Sequence, residues 1–176
     1  MIWPVPNSYS RHVPRLGEPG GFWEDRNDRF HCGVDIYAPV GSDVLAIEDG
    51  QVVAIEPFTS PELVDYWNTT YYVFIKDSSG FTTRYAEFGG VRVKEQDEIL
   101  AGQIIGTVGQ VLNFDRIEYD APDYIQQLKL SNNSSMLHLE MYSIYPAIIL
   151  KYLGGNTFQD CKPSFLINPR DYLLST

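Results

Sequence analysis

The sequence predicts a mainly β domain with antiparallel strands and short helical insertions. Aromatic residues make up 14% of the chain, with 12 Tyr, 9 Phe and 3 Trp, and such side chains favour strands. The 14 Gly and 11 Pro are spread along the chain and punctuate short runs of alternating apolar and polar residues. A chain of 176 residues can bury one sizeable core, so we expect a single domain over residues 1–176.

The strands should begin after an irregular segment of about 28 residues that is rich in Pro and Gly. The segment His31–Val40 has the composition of a first strand. Two hairpins should follow, one turning at Asp49-Gly50 and one around Ser79-Gly80.

Further strands are expected in residues 91–109 and in Met136–Tyr142. In the first of these segments Gly102, Gly106 and Gly109 suit tight turns or a close approach of two backbones.

Three longer segments separate the predicted short strands, near residues 57–70, 113–132 and 144–162. The second contains a helix signal that begins at Pro122-Asp123. The third contains another, which ends at Gly154-Gly155. The Pro-punctuated residues 163–176 should close the domain.

Charge and composition exclude several classes of partner. The formal net charge is −10 and the sequence pI is about 4.6, so no basic face is expected for nucleic acid or for an anionic membrane. No apolar run approaches the roughly 20 residues that span a bilayer. The first residues lack the features of a secretion signal, which predicts a cytoplasmic chain or one whose signal lies outside these residues. Cys32 and Cys161 could pair or stay free.

Three residues have the chemistry and placement of metal ligands. His31 and Asp35 are four apart, and residues four apart in an extended strand share a face. His138 lies between Leu137 and Leu139, as expected where a strand turns a polar side chain to a site and apolar ones to a core. Imidazole nitrogens and carboxylate oxygens are good zinc ligands. Each residue alone is weak evidence, and the third histidine of the chain, His12, is a weaker candidate still.

Four segments, in order along the chain, resemble the lysostaphin/LytM-type zinc metallopeptidases, which are peptidoglycan endopeptidases. FHCGVDIYAPVGSDVLAIEDGQVV resembles the family's H-x-x-x-D start. RYAEFGGVRVKEQDEILAGQIIGTVG resembles its Y-x-H-L stretch and glycine-rich run. MLHLEM resembles its H-L-H-F-E strand, and PSFLINPRDYLL its closing segment.

The resemblance implies the family's duplicated hybrid motif of antiparallel strands and one bound zinc ion. His31, Asp35 and His138 would be its ligands, and a fourth position would stay open for water or a substrate carbonyl. It also implies a peptide substrate, either the stem or the cross-bridge of peptidoglycan.

The two histidines that the family uses beside the metal are replaced here by Glu87 and Met136. Met136 has a thioether and no proton to donate, so it cannot stabilise charge on an attacked carbonyl. Glu87 could be a general base, a further zinc ligand or a solvated surface residue, with Arg84 and Tyr85 as neighbours that could orient it.

Two hypotheses about function therefore remain open. The first is a zinc peptidase whose activity is weak, altered or lost. The second is a non-catalytic, metal-containing module that recognises a wall peptide or a protein partner. The extra segments could wall, narrow or block the substrate groove, bind a partner, or be ordinary exposed loops. A carrier or phosphotransfer domain with similar hairpins is less favoured, because Asp49-Gly50 offers no lysine at its tip and only His138 could serve in a histidine pair.

Overall fold

The structure, a computed structural model, describes residues 2–26, 30–146 and 161–175. Its main feature is one antiparallel sheet of nine strands. The strands run in the order β1-β8-β7-β5-β4-β3-β6, with β2 paired to β7 and β9 to β8. Their bounds are β1 Val34–Tyr37, β2 Asp43–Leu45, β3 Gly50–Pro57, β4 Tyr71–Lys76, β5 Thr82–Val91, β6 Glu98–Ile99, β7 Ile104–Gln110, β8 Ser135–Tyr142 and β9 Leu166–Ile167.

Helical structure in these residues is short. It consists of a 3-10 turn at Phe114–Arg116, α1 at Asp123–Leu130 and α2 at Pro169–Leu173. No helix in the described ranges has the length and apolarity to cross a bilayer. The mainly β, antiparallel class expected from the sequence is thus confirmed.

The predicted hairpin around Ser79-Gly80 is confirmed, because β4 and β5 pair antiparallel and Gly80 has a φ of +95°. The hairpin predicted at Asp49-Gly50 is wrong. β2 pairs with β7, while β3 pairs with β4 and β6. After β2 the backbone of Ala46 forms hydrogen bonds with the turn at Gly102 and Gln103. For this reason β2 and β3 do not pair with each other as a hairpin.

The sheet forks beside β8, and this fork positions the candidate site. One edge of β8 pairs with β1. On the other edge β5 accompanies β8 as far as the pair Ala86–His138 and then leaves it to run along β7. β7 takes over the pairing with β8 at Met136. Glu87, the residue at which β5 departs, has a φ of +70°, a left-handed conformation that costs a non-glycine residue about 1–3 kcal/mol.

Glycines allow β5 and β7 to approach closely at the fork. A Cβ on Gly106 would lie 2.6 Å from the Gly90 carbonyl oxygen, and one on Gly109 would lie 2.7 Å from the Gly89 nitrogen. Gly102 has a φ of +85° and forms a turn. The expectation of turns and close approach at Gly102, Gly106 and Gly109 is therefore confirmed.

The expected helix at Pro122-Asp123 is present as α1, with Pro122 as its N-cap. The segments 57–70 and 113–132 pack together around a second, smaller core, whose buried members are Trp67, Val111, Leu112, Ile117, Ile125 and Met136. The helix predicted to end at Gly154-Gly155 lies outside the described residues. Cys32 is buried and Cys161 is exposed, and the two do not form a disulfide with each other.

The close approach at Gly106 gives a stability prediction. Gly106→Ala should lower the free energy of unfolding by about 1–3 kcal/mol, because the added methyl group meets a backbone carbonyl and the Phe88 ring. Gly90→Ala is the matched control, since its Cβ would meet only the Thr107 side-chain oxygen at 3.3 Å. Urea denaturation measures both variants, and equal midpoints would contradict the proposed packing at the fork.

Candidate metal centre

His31, Asp35 and His138 converge on one buried point. The Asp35 Oδ1 lies 3.2 Å from His31 Nε2 and 2.9 Å from His138 Nδ1, and the two nitrogens are 2.9 Å apart. These three atoms form a group that could hold a metal ion. Asp35 and His138 face each other because they are register partners in the β1–β8 pair.

His31 reaches this point by a bend and not by strand alternation. The sequence placed it in the first strand, whereas β1 begins only at Val34. The chain bends at Gly33, where a Cβ would lie 2.3 Å from the Leu139 carbonyl oxygen. The backbone of His31 is held instead by Trp23 and Glu24, which exchange hydrogen bonds with it at 2.7 and 2.9 Å. The convergence with Asp35 was predicted correctly, but the reason given for it, alternation along one strand, is wrong.

The outer hydrogen-bond partners of the two imidazoles determine which nitrogen of each neutral ring carries the hydrogen. His31 Nδ1 donates to the Gly21 carbonyl oxygen at 2.8 Å, and His138 Nε2 donates to the Glu140 carboxylate at 2.8 Å. In the neutral imidazoles the inner nitrogens then carry lone pairs. Two nitrogen lone pairs and a carboxylate oxygen then face one another, an arrangement that a shared proton or a metal ion between them would stabilise.

The spacing and charge of these atoms fit zinc. Bonds of about 2.0–2.1 Å in a tetrahedral site place neighbouring ligand atoms about 3.3 Å apart, close to the distances here. Burial opposes a positive charge on His138, but hydrogen bonds and charge from Asp35 and Glu140 outweigh it and raise the pKa of His138 to about 9. Burial likewise opposes ionisation of Asp35, yet His31, His138 and Arg26 hold its pKa well below the usual range. The centre thus attracts cations.

A buried network supports His138 from behind. Glu140 pairs with Arg84 at 3.3 Å and accepts a hydrogen bond from the Tyr142 hydroxyl. The Arg84 guanidinium also donates to Tyr142 at 3.1 Å and lies 4.6 Å from the centre of the Phe74 ring. Outer partners of this kind fix the orientation of a ligating imidazole.

Glu87 lies at the fork with its side chain turned inward. It is 7% exposed, so the surface interpretation is wrong, and it is outside the group of three ligand atoms. Thr70, and not Tyr85, is its hydrogen-bond donor, at 2.7 Å, because the Tyr85 hydroxyl accepts from the Ile47 amide. Burial raises the pKa of Glu87 to about 7, against the hydrogen bond from Thr70.

The cavity that adjoins these residues is small. Its volume is about 50 Å³, whereas pockets for small ligands usually measure about 300–1,000 Å³. Both extra segments cover it, with Phe58, Thr59 and Trp67 from one and Tyr124, Ile125 and Leu128 from the other. Its remaining lining is Arg26, Asp35, Glu87, Val111, Leu112, Met136 and His138.

Two features of this centre bear on the sequence predictions. His12 is not part of it, because its side chain is 66% exposed and lies beside Glu18. Arg26, which sequence reasoning missed, lies against the candidate ligand Asp35 at 3.0 Å. No local sequence pattern indicates that Arg26 lies at the site. Glu140, in contrast, belongs to the segment MLHLEM that the sequence analysis singled out.

Comparison with known proteins finds a relative for part of the chain. The chain is 31% identical over 84 residues to the cell division protein DipM of Caulobacter vibrioides, a match of 48% of this chain and 12% of that protein. The chain thus spans about an eighth of the length of that relative.

Several solved structures share the fold. Lysostaphin of Staphylococcus simulans is 18% identical, with 98% of this chain and 54% of that one covered and a TM-score of 0.55. The catalytic domain of the M23 protein EnpA of Enterococcus faecalis, solved as a point mutant, is 21% identical over 93% and 94%, with a TM-score of 0.50. A chain of the SpoIIIAH–SpoIIQ complex is 17% identical over 97% and 98%, with a TM-score of 0.54.

The model of peptidase family M23 matches residues 29–121, which is more than half of the chain. Those residues include His31, Asp35 and Glu87. The chain therefore belongs to peptidase family M23, as a divergent member of the lysostaphin/LytM type.

Proposed function

We propose that this domain binds one zinc ion through His31, Asp35 and His138 and serves as a binding or regulatory module without effective peptide-bond hydrolysis. The observation that carries the proposal is a ligand set with its lone pairs turned inward, beside a cavity of only about 50 Å³. The candidate ligands are those that the family resemblance implies for a peptidoglycan endopeptidase-like domain, while the described residues leave only this small cavity beside them.

The donor set favours zinc over harder cations. Two imidazole nitrogens and one carboxylate oxygen suit zinc, whereas calcium and magnesium take oxygen ligands. When bound, zinc can polarise a carbonyl and lower the pKa of a water molecule. In this chain the outer contacts of His31 and His138 hold the tautomers that ligation requires.

The residues beside the ligands argue against efficient hydrolysis. Met136, on the same face of β8 as His138, offers no proton to a leaving group. Phe58 stacks on the His138 ring at 5.9 Å between centres, and Ile125 of α1 is buried in the cover. A peptide could reach the centre only if these apolar side chains moved.

A protein or wall-peptide partner is consistent with what the relatives are. DipM is described as a cell division protein and lysostaphin as an antimicrobial peptidase, while another relative by fold was crystallised in a complex of two proteins.

A second candidate is a weak hydrolase in which Glu87 is the general base. Its supporting observation is the position of Glu87 on the cavity wall with a pKa of about 7, near the optimum for proton transfer at neutral pH. The two candidates share the metal centre and differ in whether anything is cleaved.

Metal content tests the centre. The purified chain should contain one zinc ion per molecule by elemental analysis, and His138→Ala or Asp35→Ala should lose it, because two ligands hold zinc poorly. His12→Ala is the matched control, since this exposed histidine should leave the content unchanged. Full zinc content in His138→Ala would contradict the proposed ligands.

Hydrolysis tests the choice between the candidates. We expect the zinc-loaded chain to leave pentaglycine and purified peptidoglycan intact, with the antimicrobial peptidase lysostaphin assayed beside it as a positive control. Glu87→His with Met136→His, in a chain whose residues 117–131 are replaced by a short Gly-Ser linker, should cleave at least about 10²-fold faster, the contribution of one acid–base group.

Cleavage by the parent chain that a chelator abolishes would contradict the non-catalytic function. If Glu87→Gln also abolished that cleavage while zinc content stayed at one, Glu87 would be the base and the second candidate would replace the first.

A further inference from the structure

Arg26 is a buried cation beside the metal centre, contributed by the irregular segment that precedes the sheet. Its side chain is 14% exposed. One guanidinium nitrogen, Nη2, lies 3.0 Å from Asp35 Oδ2 and 3.1 Å from Glu24 Oε2, and Nε donates to the same Glu24 oxygen at 3.2 Å. The sheet that positions the ligands does not contain Arg26, so a separate part of the chain brings it here.

The two oxygens of Asp35 have different partners. Oδ1 faces His31 Nε2 and His138 Nδ1, whereas Oδ2 faces Arg26. A carboxylate can bind a metal ion through one oxygen or through both. With Oδ2 engaged by a charged donor, only Oδ1 is turned to the other two ligand atoms.

Arg26 is itself held in place from two sides. The Glu24 carboxylate that it binds also accepts the Gly20 amide at 2.9 Å, and the Glu24 carbonyl accepts the His31 amide at 2.9 Å. On the other side the guanidinium carbon lies 5.1 Å from the centre of the Tyr124 ring of α1. The segment before the sheet and the insertion thus clamp Arg26 between them.

We propose that Arg26 is a positioning residue that restricts Asp35 to one-oxygen ligation, so that the centre has three protein ligands and one further position. This role rests on the proposed zinc site. It concerns the geometry of the ligand and assigns Arg26 no contact with a substrate.

Electrostatics and positioning predict opposite effects when Arg26 is replaced. A nearby cation repels a metal ion, so the loss of its charge alone should strengthen metal binding. Loss of an outer partner that orients a ligand typically weakens metal binding about 10- to 100-fold. The direction of the change in affinity therefore separates the two roles.

The test measures zinc affinity by competition with a chromophoric chelator, and the visible absorption of the cobalt(II)-substituted protein. Arg26→Met should weaken zinc binding about 10- to 100-fold. It should also reduce the cobalt absorption, because two-oxygen ligation raises the coordination number above four. Arg15→Met is the matched control, with the same change of charge at an exposed position of the same segment.

Arg26→Lys is a second variant that guards against misfolding of Arg26→Met. It keeps the positive charge but cannot contact Glu24 through two nitrogens while it also contacts Asp35. Its zinc affinity should also fall, since geometry alone has changed. Equal or tighter binding in Arg26→Met and Arg26→Lys, with an unchanged cobalt spectrum, would overturn the role of Arg26 and leave the metal site intact. A parent chain that takes up neither metal would overturn the proposed site and this role together.

Discussion

The antiparallel pairing of β1 with β8 is the constraint on which the centre depends. Its register sets Asp35 opposite His138, and the alternation of β8 then turns Met136 and Glu140 to the same face as His138. A shift by one residue would turn all of these side chains to the other face. The apolar residues Leu137 and Leu139, both buried, hold the register from the core side.

The fork in the sheet adds the rest of the site. Because β5 changes partner from β8 to β7 at Glu87, this residue takes a strained backbone conformation and directs its carboxylate to the cavity. In the family motif that the sequence resembles, a histidine is expected at this position. The proposed loss of hydrolysis rests on the glutamate at 87 and the methionine at 136. The two insertions then enclose what remains.

Much of the fold and of the candidate site could be predicted from the sequence where the signal was local or was carried by a family motif. The turn at Gly80, the start of α1 at Pro122 and the close approach at Gly106 follow from the residues themselves. The Asp49-Gly50 hairpin failed because the chain after β2 bonds to a turn more than 50 residues away.

The covering of the cavity and the role of Arg26 could not be predicted in the same way. Both depend on contacts between segments far apart in the chain, such as Trp67 with Leu112 and Arg26 with Tyr124. The burial of Glu87 belongs to the same class, because a glutamate beside a strand motif is more often solvated. Pattern and composition carry no information on such packing.

Anomalous diffraction at the zinc edge, from crystals grown with zinc, tests the central claim most directly. The account predicts one peak, bound by His31 Nε2, His138 Nδ1 and a single oxygen of Asp35 at about 2.0–2.2 Å, with Arg26 still on the other oxygen. A peak ligated by Glu87 or held elsewhere, or crystals with no peak at all, would contradict it.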